Sequence, residues 1–276
     1  EIYVHYEETI RNCEVYLVQS MSHPINEYFM ELLVMIDAAK RASAQHINVV
    51  LPYYGYARQE RKSAPREPIS AKLVADLLTT AGAQRVITVD LHAAAIQGFF
   101  NIPVDHLTAL DLITEELKAA NIPNPIVVSP DAGRASTAEK LASYLDSPFA
   151  IMIKKRPEHN RSVITHIIGE VEGRTPIIIE DLIDTGSTII NVVEALKERG
   201  ANDAYVCATH ALFSADALAR LDHPNIRQII VTDSIRVGDN LGGKIKVIAL
   251  APILTEAIRI ITRGGSLSTL FKSGGV

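Results

Sequence analysis

The stretch IIIEDLIDTGST, residues 177–188, decides the fold and carries the clearest chemistry in the chain. Its apolar start, 177–179, predicts a buried strand. Glu180 and Asp181 follow at the carboxyl end of that strand, which is where α/β folds place their ligands. The pattern therefore predicts a strand of a mainly parallel sheet and the edge at which that sheet binds a ligand.

The second half of this stretch is a tight loop that opens a predicted helix over 189–200. Backbone N–H groups and hydroxyls at such a helix N-terminus hold phosphate. An N-capped helix is the plain alternative, but a cap needs one acid or hydroxyl, whereas residues 180–188 contain three acids and three hydroxyls. The pattern favours a molecule with hydroxyls at one end and a phosphate at the other, whose phosphate would meet Asp184, Thr185, Gly186, Ser187 and Thr188.

Short runs rich in Val and Ile alternate with amphipathic helices along the whole chain. Because these runs are continuously apolar, both faces of each strand are covered, which is typical of parallel sheets. Repeated units of strand, crossover helix and parallel strand give a doubly wound α/β fold. Strands are predicted at 15–19, 47–51, 86–89, 126–128, 150–153, 177–179, 205–208, 229–231 and 247–250, and helices at 25–43, 69–80, 134–145, 187–199 and 252–261.

Two related α/β halves are more natural than one sheet of nine strands. We predict an N-terminal domain over 1–107 and a C-terminal domain over 108–263, with the tail 264–276 packing on the first domain. The chain begins at Glu1 rather than Met, with strand-like sequence already under way. We therefore expect the start of the first domain to be missing.

Composition excludes several classes of function. The 276 residues carry a net charge of −5 and no basic block, which argues against nucleic acid as a partner. No apolar run approaches membrane-spanning length, so no membrane partner is expected. The nine histidines show no zinc-site spacing. Cys13 and Cys207 lie far apart beside apolar runs, so we expect buried free thiols and a cytoplasmic location.

Polar side chains follow several predicted strands, and together they suggest one kind of chemistry. His92 follows the third strand, Asp131 the fourth, and a basic segment that includes Lys154 and Arg156 follows the fifth. Phosphoryl or pyrophosphoryl transfer needs a metal ion that bridges phosphates and fixed cations that neutralise developing charge. The strand ends offer both kinds of group.

Each of these features also has a plainer interpretation. The basic loop 58–66 is either a solvated charged loop or a nucleotide-phosphate contact. Residues 154–156 are either a surface cluster or a mobile basic flap. His92 alone is more typical of a hydrogen-bonded structural histidine, and its weight as a magnesium or phosphate ligand comes from Asp131 and the phosphate loop.

Taken together, ordered motifs along the chain resemble the ribose-phosphate pyrophosphokinase family, which makes phosphoribosyl pyrophosphate. The phosphate loop alone is shared with type I phosphoribosyltransferases, so the specificity of the match lies in the full set. The motifs are YYGYARQERK at 53–62, REPISAKL at 66–73, TVDLHAAAIQGFF at 88–100, VSPDAG at 128–133, KKRP at 154–157, EDLIDTGST at 180–188 and SLSTLF at 266–271.

The resemblance implies a fold and a reaction. The fold is α/β, with two phosphoribosyltransferase-like domains that each hold a mainly parallel sheet flanked by helices. In the reaction, the anomeric hydroxyl of ribose 5-phosphate attacks the β-phosphorus of ATP, and AMP leaves. The family further implies a homo-oligomer, a hexamer built from dimers, that responds to phosphate and ADP through a stretch containing Lys62 and Arg66.

The resemblance also implies residue roles, here carried over position by position. ATP would be bound by Arg58, Gln59 and His92, and Mg²⁺ by His92 and Asp131, directly or through water. The transferring group would be stabilised by Lys154 and Arg156. Ribose 5-phosphate would be bound by Glu180, Asp181, Asp184, Thr185, Gly186, Ser187 and Thr188, and a pyrophosphate loop would be formed by Asp131, Ala132, Gly133 and Arg134.

The chain departs from the family pattern at several positions. Arg134 stands where the family usually has glycine, so its side chain either adds a phosphate contact or blocks close backbone approach. Glu180 replaces a usual aspartate, and Ser187 replaces a usual glycine. Two other functions stay open. One is a phosphoribosyltransferase, which would not need the basic segments at 58–62 and 154–157. The other is a non-catalytic subunit of the oligomer, which Arg134 and the missing start favour, whereas the presence of Lys154, Arg156, His92 and Asp131 argues against it.

Overall fold

The computed structural model describes residues 1–158, 161–238 and 243–270, with the backbone alone for 154–158 and 161–165. The chain divides into two compact units. Among the described residues, 1–108 and 250–270 form the first unit, and those between 109 and 249 form the second. Both are α/β with mainly parallel sheets flanked by helices, which confirms the predicted fold class.

The first unit is built on a four-stranded sheet in the order β1-β2-β3-β4, with every pair parallel. The consecutive order means that the connections run in one direction across the sheet. Its elements are β1 (Glu14–Val18), α1 (Ile25–Arg41), β2 (His46–Leu51), α2 (Ser70–Ala81), β3 (Arg85–Val89) and β4 (Val104–Leu107).

The core of the first unit lies where α1 and α2 pack on the sheet. Leu32 and Ile36 are one helical turn apart on α1, and Val74 and Leu78 repeat that spacing on α2. Since side chains four residues apart share one helix face, each helix buries an apolar stripe against strand residues such as Val49. The apolar helix faces predicted from the periodicity are therefore the faces that pack on the sheet.

The second unit holds a seven-stranded sheet in the order β11-β10-β9-β8-β5-β6-β7, in which only the β6–β7 pair is antiparallel. Its elements are α3 (Leu110–Ala119), β5 (Pro125–Ser129), α4 (Ala135–Leu145), β6 (Phe149–Glu158), β7 (Arg161–Ile168), β8 (Thr175–Ile183), α5 (Ser187–Glu198), β9 (Ala204–Ala211), α6 (Ala217–Leu221), β10 (Ile226–Thr232) and β11 (Ile245–Ile248).

The strand order of the second unit reverses between β5 and β8. From β5 the chain proceeds to β6 on one side, whereas from β8 it proceeds through β9 to β11 on the other side. The loops that leave two such neighbouring strands diverge, and the crevice between them is the usual ligand site of open α/β sheets. The stretch 177–188 belongs to one of these two strands.

The last helix, α7 (Ala251–Thr262), belongs to the first unit, although we predicted a C-terminal domain that ran to 263. Its end lies beside strand β1, because the Tyr16 hydroxyl and Thr262 Oγ1 are 3.2 Å apart. The predicted boundary at 107 lies one residue from the observed one. The part of the predicted tail from 264 to 270 is also in the first unit, and residues 271–276 lie outside the described residues.

Every predicted strand is present, but β4 and β7 were not predicted. Strand β4 reads VDHL, in which two polar residues interrupt the apolar run. The predicted basic flap is partly strand, because the backbone of β6 continues through residues 154–158 and pairs with β7. The short α6 and the helix α3 were missed as well. Cys207 is buried as expected, whereas Cys13 is exposed.

None of the helices in the described ranges has both the length and the apolar composition needed to cross a membrane.

Tyr54 shows how the first unit ties its β2–α2 loop to the core. The ring is 1% exposed and meets Phe100 edge to face at 5.9 Å between centroids. Its hydroxyl donates to the Ala71 carbonyl over 2.8 Å. Burial raises the pKa of the Tyr54 phenol above its ordinary value.

Removing this hydroxyl tests that connection. Tyr54→Phe keeps the aromatic contact and loses the buried hydrogen bond, so we expect the free energy of unfolding to fall by about 0.5–1.5 kcal/mol. Urea denaturation followed by circular dichroism measures the change. Tyr56→Phe, which removes an exposed hydroxyl bonded to Asn26, is the control and is expected to change stability by less. Equal effects of the two substitutions would contradict the prediction.

Candidate functional site

The carboxyl end of β8 presents the acids predicted from the sequence. Strand β8 lies between β5 and β9 and is buried along most of its length. The Asp181 carboxylate is 5% exposed, while Glu180 and Asp184 are half-buried. Glu180 and Asp181 therefore lie within the last four residues of β8, and Asp184 directly follows the strand. All three acids are at the β5/β8 reversal, with Asp181 the most enclosed.

The loop after β8 is shaped by Gly186. Its φ of +75° lies in the left-handed region, and a Cβ built there would stand 3.0 Å from Leu221 Cγ. A side chain at this position would be both strained and crowded. Thr185, Ser187 and Thr188 are exposed around it, and the Thr185 and Ser187 hydroxyl oxygens are 3.2 Å apart.

Helix α5 begins directly after Gly186, and no side chain in the described part of the chain caps its start. The N–H groups of a first helical turn have no carbonyl partner within the helix. The helix dipole adds partial positive charge at the same end. An anionic group such as phosphate suits this place.

Contacts from residues 214–221, which were not predicted from the sequence, hold this loop in place. Ser214 N donates to the Asp184 carbonyl over 3.1 Å, and the Arg220 guanidinium donates to the Thr185 carbonyl. Leu221 packs against Gly186. Because α6 is only five residues long, its periodicity gives too weak a signal to reveal these contacts.

The second loop of the site leaves β5 at Ser129 and enters α4. Asp131 Oδ1 accepts from Gly133 N over 2.9 Å, and Ser129 Oγ donates to the Asp131 carbonyl over 2.6 Å. The loop then makes one 3₁₀ turn over Ala132–Arg134. The predicted pyrophosphate loop is thus a compact turn held by its own aspartate.

An ion pair joins the two loops across the β5/β8 reversal. Arg134 Nη2 lies 2.5 Å from Asp181 Oδ2, and the two side chains are 19% and 5% exposed. From the sequence, the Arg134 side chain was expected either to add a phosphate contact or to block close backbone approach, and the structure shows neither directly. The guanidinium instead holds one of the predicted sugar-binding acids.

A buried polar network lies next to the site at the end of β9. The His210 ring nitrogen Nδ1 is 2.9 Å from Ser234 Oγ, and Ser234 Oγ donates to the Thr209 carbonyl over 3.1 Å. Residue 210 is opposite Leu182 of β8 in the strand register. These hydrogen bonds satisfy buried polar groups that would otherwise be left without partners, and they tie the end of β9 to the segment that follows β10.

The first unit places the predicted nucleotide residues at one edge of its own sheet. Arg58 and Gln59 are exposed in the loop after β2, and His92 is half-buried in the loop after β3. These two strands are parallel neighbours, so their carboxyl ends meet at the same edge. Leu91 N donates to His106 Nε2 over 2.9 Å, which anchors the loop that carries His92.

The β2–α2 loop is also tied to the start of helix α2. Gln59 accepts a hydrogen bond from the Ser70 hydroxyl, and the Gln59 carbonyl accepts from Ala71 N over 3.3 Å. Farther along the loop, Glu67 Oε2 accepts from two backbone N–H groups, those of Ser63 and Ala64. These bonds give the exposed basic loop a defined shape.

The predicted metal ligands His92 and Asp131 lie in different units. The described side chains contain no group of three or more His, Cys, Asp or Glu residues that could hold a metal ion. A Mg²⁺ ion taken up with a nucleotide does not need such a group, because Mg²⁺ keeps several waters and is commonly bound by one or two carboxylates plus substrate phosphates.

Lys154 and Arg156 belong to the backbone of β6, where residue 154 is opposite Ile164 of β7. Their side chains lie outside the described residues, so their predicted contact with the transferring group stays a prediction.

These features define the class of protein as an α/β protein with a candidate phosphate-binding loop at the strand-order reversal of its second unit. The family model described as the N-terminal domain of ribose phosphate pyrophosphokinase matches residues 1–82. The model described as the phosphoribosyl synthetase-associated domain matches residues 122–272. Together the two matches span most of both units.

Similar proteins agree with these matches. The ribose-phosphate pyrophosphokinase of Fusobacterium nucleatum is 50% identical over 274 residues, which cover 98% of this chain and 87% of that protein. The protein of the same name from Oceanobacillus iheyensis is 49% identical over 272 residues, covering 98% and 86%. The crystal structure of phosphoribosylpyrophosphate synthetase from Mycobacterium smegmatis superposes with a TM-score of 0.89 at 42% identity, covering 96% and 88%. The chain belongs to the ribose-phosphate pyrophosphokinase family.

Gly186 offers a test of how tightly the β8–α5 loop is built. Gly186→Ala places a side chain at positive φ and against Leu221, so we expect a loss of about 1–3 kcal/mol in the free energy of unfolding. Gly173 is a matched control, since its φ is +66° but a Cβ there would meet nothing within 4 Å. Chemical denaturation of both variants separates crowding from backbone strain. A Gly173→Ala loss as large as that of Gly186→Ala would contradict the crowding at Leu221.

Proposed function

We propose that this chain transfers the pyrophosphoryl group of ATP to the anomeric hydroxyl of ribose 5-phosphate, giving phosphoribosyl pyrophosphate and AMP for nucleotide biosynthesis. The observation that carries the proposal is the pair of loops at the β5/β8 reversal, one rich in acids and hydroxyls, the other a compact turn, joined by Arg134 and Asp181. Membership of the ribose-phosphate pyrophosphokinase family supports it.

The sugar end of the reaction belongs to the loop after β8. Glu180 and Asp181 accept hydrogen bonds from ribose hydroxyls, while the segment from Asp184 to Thr188 receives the 5-phosphate at the start of α5. Holding the sugar at both ends fixes the direction of its anomeric hydroxyl. Orientation of this kind removes a large entropic part of the barrier.

The nucleotide end belongs to the loops of the first unit. Arg58 and Gln59 are exposed at the carboxyl edge of β2, next to the loop that carries His92. Arg58 supplies a fixed cation, and Gln59 an amide, to the nucleotide. By family analogy, His92 and Asp131 are the proposed ligands for Mg²⁺, which would arrive with the nucleotide and would neutralise charge on its phosphates.

Lys154 and Arg156 stabilise the group in transit. Transfer spreads negative charge over the oxygens of the migrating pyrophosphoryl group, and preorganised cations lower the barrier by meeting that charge. A segment that closes over the reactants also excludes water, whose attack on ATP would waste the nucleotide.

We further propose a cytoplasmic homo-oligomer, a hexamer by family analogy, with phosphate and ADP as effectors. The exposed Lys62 and Arg66 would meet these anions. Cys207 is free and buried. Its thiol is inert there, because burial raises its pKa well above the ordinary value.

An assay for AMP tests the reaction directly. With Mg²⁺, ATP and ribose 5-phosphate we expect AMP and phosphoribosyl pyrophosphate in equal amounts, and no AMP when the divalent cation is chelated by EDTA. Product analysis by ion-exchange chromatography measures both. The full chain would be a non-catalytic subunit if neither product formed. Consumption of added phosphoribosyl pyrophosphate with a nucleobase would instead indicate a phosphoribosyltransferase.

Lys154 provides a test of the basic segment. Lys154→Ala removes a cation that meets charge only in the transition state, so turnover should fall by about 100-fold or more, with the affinity for ribose 5-phosphate little altered. Steady-state kinetics and calorimetric titration of the sugar phosphate measure the two quantities. Lys197→Ala, which removes an exposed cation of the second unit, is the control. Unchanged turnover of Lys154→Ala would refute the role.

A further inference from the structure

The position of Arg134 is not explained by the local structure of its own helix. Arg134 lies at the residue before α4, whose first turn contains no acid. A cation at a helix N-terminus is disfavoured by the helix dipole. The side chain is nevertheless drawn inward to 19% exposure, where it meets Asp181.

Asp181 is the group that benefits from this contact. Its carboxylate is 5% exposed, and a charge so enclosed is costly unless it is paired. The 2.5 Å contact from Arg134 Nη2 fixes Oδ2, and because a carboxylate is planar, fixing one oxygen also restricts the direction of the other. The pair thus sets the orientation of one predicted sugar-binding group.

The ion pair also changes the charge that a ligand would meet. Glu180, Asp181 and Asp184 bring three negative charges to the end of β8, and a sugar phosphate is itself an anion. Arg134 lies in the same crevice and offsets one of these charges. An acid-rich site can then accept hydroxyls without repelling the phosphate of the same molecule.

We propose that Arg134 is a positioning residue for the sugar phosphate and acts through Asp181. The proposal rests on the proposed function, since it assumes that Asp181 receives ribose hydroxyls. It predicts that the affinity for ribose 5-phosphate depends on the Arg134–Asp181 pair, whereas the affinity for ATP depends on it little.

The first experiment compares Arg134→Ala with the unaltered full-length chain in the AMP assay. Partners that orient binding carboxylates are worth on the order of 10- to 100-fold at metal sites, and we expect a rise of that size in the KM for ribose 5-phosphate. The KM for ATP should change by less than about threefold. Arg134→Lys restores a cation and should recover part of the loss, whereas Arg134→Met, which keeps length without charge, should not.

The second experiment asks whether Arg134 acts through Asp181. If it does, Arg134→Ala combined with Asp181→Asn should bind ribose 5-phosphate no more weakly than Asp181→Asn alone. Calorimetric titration with ribose 5-phosphate in the absence of ATP measures this affinity independently of turnover. Additive losses would overturn the proposal, because they would mean that Arg134 contacts the substrate separately.

Controls separate this inference from folding and from the proposed function. Thermal unfolding of each ligand-free variant identifies any general loss of structure, and Lys197→Ala, an exposed cation paired with Asp203 in the same unit, should leave both KM values unchanged. An unaltered KM for ribose 5-phosphate in Arg134→Ala, or a fall in it, would overturn the inference while the active unaltered chain upholds the reaction. An inactive unaltered chain that binds the sugar phosphate through the same pair would uphold the inference and refute the reaction.

Discussion

The site of the second unit depends on one constraint of its sheet: strand order reverses between β5 and β8. Parallel strands bring their carboxyl ends to one edge, and a reversal makes two neighbouring loops leave that edge in opposite directions. The loop of residues 130–134 and the loop of residues 184–188 flank the resulting crevice. Without the reversal, both loops would leave the edge in the same direction, and no crevice would open between the ends of β5 and β8.

The two loops that flank the crevice are held in place in different ways. The loop after β8 is held by neighbouring elements, through Ser214, Arg220 and Leu221, and its own atoms are left to face outward. The loop after β5 is held by itself, since Asp131 bonds both forward and backward within the turn. One loop therefore depends on the packing of α6, and the other on a local sequence. Substitutions in α6 should reach the site although none of its residues lies in it.

The local sequence pattern predicted most of the strands and helices, and the elements that it missed have physical explanations. The continuous apolar run at 177–179 and the acids after it were sufficient to place β8 and the acids near its carboxyl end. Strand β4 escaped because Asp105 and His106 serve contacts made only in the fold, to Arg85 and to Leu91 N. The pairing of Arg134 with Asp181 could not be read from residues 47 positions apart, because it arises from the adjacency of β5 and β8. The roles of Lys154, Arg156 and the other site residues remain predictions from the family resemblance.

The return of α7 to the first unit has a consequence for the order in which the chain is made. A ribosome completes residues 109–249 before it produces Ala251–Thr262. At about 5–20 residues per second, that interval is on the order of ten seconds. The sheet β1–β4 emerges first and waits through this time without its last helix. Nascent protein of the first unit therefore exposes the surface near Tyr16 until α7 has been made, and the second unit has the opportunity to fold before the first is whole.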